Sequence, residues 1–333
     1  MLESYINKSN LFWEAVNTHE PQTWALEHTD VLENDFFIVK QFAKRGNRGS
    51  VLINPPMAGH HSNIAQTITK FYRENTNYNV FSIEWKPATP KTKDYGIEEI
   101  VNHIDLAVNH ISPNQKIHLA GLCQGGWALA MWAALNNHRA KSLIIAGTPI
   151  DYVIDGGKCQ MWLDMVSNQY IKNVIDYHDG IWPGKKQLLG FKLLNPVDRF
   201  LGTYTGLQKL VDEDDMSGIK KWVRNNSWYE YVQDLPGKMI REVCSILFRD
   251  NHLIEKKIVI DGDVVDLKNI TCPVVAITGD DDDITLTRQC SEILNHVSSD
   301  KRRHFPIPDC GHIAIFLTKA AMERWGKAIE FVK

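Results

Sequence analysis

The stretch Leu119-Ala120-Gly121-Leu122-Cys123-Gln124-Gly125-Gly126-Trp127 decides how this sequence is read. Its centre has the form G-x-C-x-G. The residues before it, Ile117-His118-Leu119-Ala120, read as a strand, and the run from Trp127 to Asn136 reads as a helix. A chain that turns straight from strand into helix brings the positions two before and two after the centre against neighbouring backbone. Gly121 and Gly125 remove the side chains that would collide there. Cys123 is left at the apex, with a helix N-terminus aimed at it that favours a thiolate and a developing oxyanion. The main-chain N–H of Gln124 is one candidate donor to that oxyanion. A buried cysteine is usually an inert small hydrophobe. The strand before, the helix after and the residues downstream instead make Cys123 a candidate nucleophile.

Outward from this turn, short apolar runs alternate with helical ones. Phe36 to Val39, Ser50 to Asn54 and Asn79 to Ile83 are strand-like, and Pro55-Pro56 stops the second. Ile64 to Tyr72 has helical spacing. Ile97, Ile100, Val101, Ile104 and Val108 line one face of a helix over 97–111. Ser142 to Ala146 is a further strand. The alternation resumes with the strand Pro273 to Ile277, a helix from Thr287 to about Val297, a strand around His304-Phe305, and a last helix from about Thr318 to Phe331. Strands alternating with helices imply a mostly parallel, doubly wound α/β sheet. Between the two blocks, residues 152–258 break the pattern and carry Trp162, Trp182, Trp222 and Trp228. So apolar a stretch is not a solvated loop. The reading is a helical cap, or lid, that buries its aromatic residues on the sheet domain or on a second copy of the chain, a homodimer through the cap. The expected organisation is an N-terminal helical segment over 1–30, packed on the outside of the domain, a core of 31–151 and 259–333, and a cap of 152–258.

An acid and a base follow the elbow in chain order. After the strand at 274–278 comes Gly279-Asp280-Asp281-Asp282-Asp283-Ile284, where a carboxylate would hold a histidine tautomer. Spacing from the glycine selects Asp282, with Asp283 the rival; the remaining acids read as an exposed loop. Pro308-Asp309-Cys310-Gly311-His312-Ile313 follows the last strand, and Gly311 is expected to let the backbone turn so that His312 reaches Cys123. His304, within a strand, reads as structural. The order nucleophile, acid, base is that of the α/β-hydrolase fold. In that fold the second oxyanion donor comes from the loop Pro55-Pro56-Met57-Ala58-Gly59-His60-His61, from the N–H of Met57 or Ala58. His60 and His61 either line the pocket mouth or cap the next helix, and Trp127 is assigned to the pocket with them.

A formal net charge of −3 leaves no global field for nucleic acid or an anionic membrane. Lys301-Arg302-Arg303 reads as a solvated turn. None of the six cysteines is at C-x-x-C spacing, which argues against a zinc knuckle or thioredoxin motif. The first residues lack a basic region followed by an apolar run, and no apolar stretch nears the ~18 residues of a membrane span. Free thiols in a cytoplasmic protein are the expectation.

Together these motifs resemble the polyhydroxyalkanoate synthase and intracellular depolymerase superfamily over roughly residues 50–316. Pro56-Met57-Ala58-Gly59-His60-His61 and Glu84-Trp85 look like the depolymerase branch. The elbow departs from that branch, which carries proline soon after its Cys-Gln pair where this chain has Gly125-Gly126. The doubled glycine, Thr148-Pro149-Ile150-Asp151, the spaced residues Trp228, Asp234, Leu235-Pro236, Asn251-His252-Leu253, Gly262, Val265-Asp266-Leu267, Ile270 and Pro273-Val274, and finally Gly311-His312-Ile313 look like the synthases. The resemblance implies a Cys–His–Asp triad acting on 3-hydroxyacyl-CoA or polyester, with no metal or organic cofactor, in a protein of the cytoplasm or the polymer granule. Two further readings stand beside it: an ester or thioester hydrolase of the same fold, and a granule-binding protein without activity.

Overall fold

The computed structural model describes residues 2–43 and 48–333. Among them, eight strands form one sheet in the order β1-β2-β4-β3-β5-β6-β7-β8: β1 (Thr29–Glu33), β2 (Phe37–Ala43), β3 (Ser50–Asn54), β4 (Asn79–Trp85), β5 (Ile117–Leu122), β6 (Ala140–Ala146), β7 (Val274–Gly279) and β8 (Arg302–Ile307). From β4 across to β8 every pairing is parallel, while β1 and β2 add antiparallel strands at the other edge.

The central strands read as continuous apolar runs because both faces of the sheet are covered. Successive residues alternate sides. Leu52, Leu119, Leu143 and Val274 pack into one core, with α3 (Ile97–Ile111) and α4 (Gln124–Leu135). Val51, Ala120, Ile144 and Val275 pack into the other, with α2 (Gln66–Asn75) and the C-terminal helix Lys319–Val332. In α4 every residue from Gly125 to Ala134 is buried, as suits a helix apolar all round. Its buried indole at Trp132 donates to Asp105 Oδ1 at 3.0 Å.

The N-terminal reading needs correction. The first helix, α1 (Leu2–Asn17), stops well short of residue 30, and the chain then runs to β1, a strand the sequence did not signal. Nor does α1 lie against the sheet. Ala15, with Leu11, Phe12 and Val16 around it, packs on Leu207, Val211, Ile219 and Val223 of the segment between β6 and β7. The expected helix over 287–297 is two short ones, Thr287–Ser291 and Ile293–His296. Arg302 and Arg303 belong to β8 rather than to a turn: the Arg303 guanidinium lies 5.2 Å over the Phe305 ring, an attraction that holds it along the strand.

That intervening segment is mostly helical: α5 (Lys158–Met165), α6 (Asn168–Tyr177), α7 (Gly184–Leu194), α8 (Thr203–Asp212), α9 (Met216–Glu230) and α10 (Gly237–Glu242), with π-helical turns at Val197–Gly202 and Val243–Arg249. Its tryptophans find cover within this one chain. Trp182 is buried in the core that includes Trp127 and Met239, with Trp162 packed at its edge. Trp222 joins the cluster beneath α1, and Trp228 stacks on His60 at 5.1 Å between ring centres. Covering them therefore asks for no second copy.

Two glycines test the packing in opposite senses. A Cβ at Gly125 would lie 2.1 Å from the Asn54 carbonyl oxygen, whereas one at Gly206, exposed within α8, meets nothing within 4 Å. Gly125→Ala is expected to lower stability by about 1–3 kcal/mol, because backbone cannot yield as a side chain does. Gly206→Ala should raise it by about 0.5–1 kcal/mol. Denaturant unfolding of both variants checks this.

Candidate active site

The turn between β5 and α4 holds Cys123 at φ 50° and ψ −127°, a left-handed conformation that costs a non-glycine residue about 1–3 kcal/mol. Hydrogen bonds fix it there. The Cys123 N–H donates to Ala146 O at 2.8 Å, and the Cys123 carbonyl accepts from the Gly126 N–H at 2.9 Å and from Thr148 Oγ1 at 2.8 Å. The glycines matter by close approach. A Cβ on Gly121 would sit 2.3 Å from Gly126 Cα, and one on Gly126 would sit 2.0 Å from Thr148 Oγ1. The second of the doubled glycines thus makes room for the threonine that braces the elbow.

The loop after β3 is tied to the same turn. Asn54 Nδ2 donates to Gly125 O at 2.9 Å, while its Oδ1 accepts from the Trp85 indole at 3.1 Å. Gln124 Oε1 accepts from the Met57 N–H at 3.0 Å. That bond corrects one expectation: the Met57 N–H is held by Gln124 and is not offered to a ligand. Ala58 lines both cavities at the site, and no bond from its N–H is found among the described residues.

His312 Nδ1 lies 2.7 Å from Asp282 Oδ2, and both side chains are buried. The other carboxylate oxygen, Oδ1, accepts from the Ile284 and Thr285 N–H groups at 2.9 Å each. Asp282 is thereby aimed at the imidazole by its own turn. Gly279 lets that turn approach the histidine loop, since a Cβ there would lie 2.0 Å from Cys310 O. Gly311 is not the residue that bends this loop. The left-handed position is Asp309, at φ 50°, an aspartate tolerating that region better than most side chains. Asp283 instead pairs with Lys158 at 2.8 Å, and Asp280 and Asp281 are exposed.

Burial alone would push His312 down. The Asp282 charge and the neighbouring Cys123, with hydrogen bonds to both, carry its pKa well above the usual imidazole value. With Nδ1 held by Asp282, the other ring nitrogen is the one turned to Cys123. His304 does bond Thr278 Oγ1, at 2.7 Å. The two loop histidines separate. His60 lines the first cavity, and burial lowers its pKa to about 4, so it is a neutral wall. His61 is the correction: it caps the next turn by accepting from the Asn63 N–H at 3.2 Å, sits 3.8 Å from Glu84, and is not among the residues lining the cavities.

Two cavities meet at Cys123. The first, about 60 Å³, is walled by His60, Arg199, Trp228, Tyr229 and His312. The second, about 120 Å³, is walled by Gln124, Trp127, Tyr152, Trp162 and Trp182, with the thiols of Cys159 and Cys244, which burial pushes up to about 12. Phe191 and Leu194 of α7 border both. Sequence reasoning assigned no role to Asn54, Thr148, Tyr152 or α7. Asn54 and Thr148 stand at strand ends directly before prolines, which marked them as loop-entry residues. Nothing in the local pattern distinguished Tyr152 or Phe191.

Comparison with known proteins gives this site a setting. The family model described as "Protein of unknown function (DUF3141)" matches residues 97–320. The chain is 26% identical over 258 residues to the poly(3-hydroxyalkanoate) polymerase subunit PhaC of Allochromatium vinosum, covering 76% of this chain and 71% of that one. It is 25% identical over 258 residues to the protein of the same name from Thiocystis violacea, with the same coverage. Among solved structures, DcsB in complex with its substrate analogue superposes with a TM-score of 0.60 at 14% identity, over 92% of this chain and 98% of that one. A monoacylglycerol lipase from Paleococcus ferrophilus gives 0.56 at 14% identity, over 89% and 98%. The fold is the α/β-hydrolase fold, and the chain is a synthase-like enzyme of that superfamily, an acyltransferase or ester hydrolase.

Asp282→Asn places an amide nitrogen against the His312 N–H and is expected to lower activity about 10⁴-fold. Asp283→Asn, which breaks only a half-exposed pair, should change it within a few-fold. The raised His312 pKa also makes a stability prediction. That contribution is complete below the ordinary pKa of about 6.5 and is lost as pH rises through the raised value. Thermal melts across this range should show the loss in the wild type, and Asp282→Asn should abolish it.

Proposed function

The chain belongs to the family whose model spans residues 97–320, described only as a protein of unknown function, and from that premise we propose that it transfers 3-hydroxyacyl groups through an acyl–Cys123 intermediate, in the manner of a polyhydroxyalkanoate synthase. The observation that carries this reading is the buried His312–Asp282 pair at 2.7 Å beside a cysteine held at φ 50°. The relatives, poly(3-hydroxyalkanoate) polymerase subunits, supply the substrate class.

His312 takes the proton of the Cys123 thiol, and the thiolate attacks the thioester carbonyl. The oxyanion is held by the N–H groups of Gln124 and Ala58. When the tetrahedral species collapses, the bond to the leaving sulfur breaks, His312 returns its proton to that sulfur, and the acyl group remains on Cys123. The hydroxyl of another hydroxyacyl unit then attacks the acyl–Cys123 carbonyl, gives its proton to His312, and forms an ester as Cys123 is released. A thiol suits the first half because the entering and leaving sulfurs are alike. Six free cysteines accord with a reducing cytoplasm or the surface of a polymer granule.

Residues 152–258 act in this reading as a lid. Helix α7 brings Phe191 and Leu194 over Cys123, and water exclusion there favours chain extension over hydrolysis of the acyl–enzyme. Alkylation of Cys123 is accordingly expected to be markedly slower with a bulky iodoacetamide than with a small one; equal rates remove the lid.

Incubation with 3-hydroxybutyryl-CoA tests the whole reading. CoA release with polymer formation is expected, together with an acyl mass on Cys123, and Cys123→Ala should cost several orders of magnitude. CoA release without polymer assigns a hydrolase instead, and near-normal activity in Cys123→Ala overturns the nucleophile.

A further inference from the structure

Two residues that line the second cavity each carry a polar atom that nothing in the fold uses. Its walls are mainly aromatic and aliphatic, and it opens on Cys123. Tyr152 is 6% exposed and Trp182 is 3% exposed. The Tyr152 hydroxyl and the Trp182 Nε1 are both buried, with no hydrogen-bond partner among the described residues. Buried donors are nearly always paired, because an unpaired one loses its water and gains nothing in return. Two such donors, on residues that line one cavity, point to a ligand that pairs them.

Neither position is loose. The Tyr152 backbone is pinned at both ends: its N–H donates to Asn251 Oδ1 at 3.3 Å, and its carbonyl accepts from Gln289 Nε2 at 3.1 Å. Asn251 is held in turn by Asp151 at 2.9 Å, and the Tyr152 ring packs on Phe248 with centroids 4.2 Å apart. Burial, with the Cys123, Cys159 and Cys244 thiols near it, raises the Tyr152 pKa well above 10. The phenol therefore keeps its proton and stays a donor. Trp182 borders both this cavity and the groove on its outer side, where Trp162, Lys186 and Gly190 are shared. An indole N–H can only donate.

We propose that Tyr152 and Trp182 determine acyl specificity by donating hydrogen bonds to oxygens carried within the acyl chain, so that the second cavity takes a hydroxy- or ester-bearing acyl group in preference to a plain fatty acyl group. Two donors on residues of a mainly apolar cavity match a chain of alternating hydrocarbon and oxygen. A pure hydrocarbon fills the same space and leaves both donors unpaired, and sites built to bond a substrate hydroxyl discriminate strongly against analogues without it. The inference rests on the acyl–Cys123 reading above.

The experiment compares 3-hydroxyoctanoyl-CoA with octanoyl-CoA on the whole chain, in the wild type, Tyr152→Phe and Trp182→Phe. CoA release gives kcat/KM, and intact mass gives the acyl load on Cys123. The wild type is expected to prefer the hydroxylated thioester. Tyr152→Phe should cut that preference by about tenfold or more through loss on the hydroxylated substrate alone, with Trp182→Phe adding to it. The melting temperature of Tyr152→Phe should hold or rise, since the variant removes a buried hydroxyl without a partner. Equal losses on both thioesters, or a preference unchanged in both variants, or a clear fall in melting temperature overturns the assignment while leaving acyl transfer intact. A wild-type chain that takes up no acyl group on Cys123 from either substrate overturns acyl transfer, and this inference with it.

Discussion

Much of this molecule is arranged around one strained residue. Cys123 stands at φ 50°, where an L-residue stays only if its surroundings over-determine it. Those surroundings are three bonds to its backbone from β6, α4 and Thr148, and three glycines that let α4 come down onto β3, β5 and the end of β6. The strain fixes where the sulfur points. It also leaves the first N–H groups of α4 beside that sulfur, unpaired by the helix itself, so one turn presents a thiol together with a donor for negative charge.

The same turn organises its neighbours. Gln124 does two jobs from one position, its side chain taking the Met57 N–H while its own N–H stays at the helix start. Asn54 reaches from the end of β3 to Gly125 and is itself held by the buried Trp85 indole. On the far side, Asp282 is oriented by the N–H groups of Ile284 and Thr285 before it meets His312. Gln124, Asn54 and Asp282 thus each have a partner that sets their direction, which is what a preorganised site requires. Helix α7, in the segment between β6 and β7, borders both cavities, and α1 packs on that segment rather than on the sheet.

Much could be read directly from the chain. The alternation of β3, β5, β6 and β7 between two cores appears as unbroken apolar runs, and α3 declares itself by spacing, because these patterns are local consequences of periods 2 and 3.6. The elbow was legible for the same reason: its glycines answer clashes within a few residues, and the order Cys123, Asp282, His312 follows the order of the strands. β1 was not legible. It is half exposed at the sheet edge, with no apolar alternation to mark it. The end of α1 was also hidden, because Trp24 continues an apolar rhythm although its indole turns to Glu84 across the chain.

What only the tertiary structure decided concerns distances between residues far apart in sequence. Among four consecutive acids, spacing selects Asp282 but leaves Asp283 as a rival. Packing separates them, since Asp282 alone is buried against His312 while Asp283 meets Lys158 from 125 residues away. His60 and His61 are adjacent yet diverge, one stacked on Trp228, the other turned to Glu84. The unpaired donors of Tyr152 and Trp182 exist only as a relation between a cavity and the atoms around it. Sequence pattern fixes which face a residue takes within its own element. Which partner it meets across elements depends on how those elements close on one another, and that is set by the whole packed core.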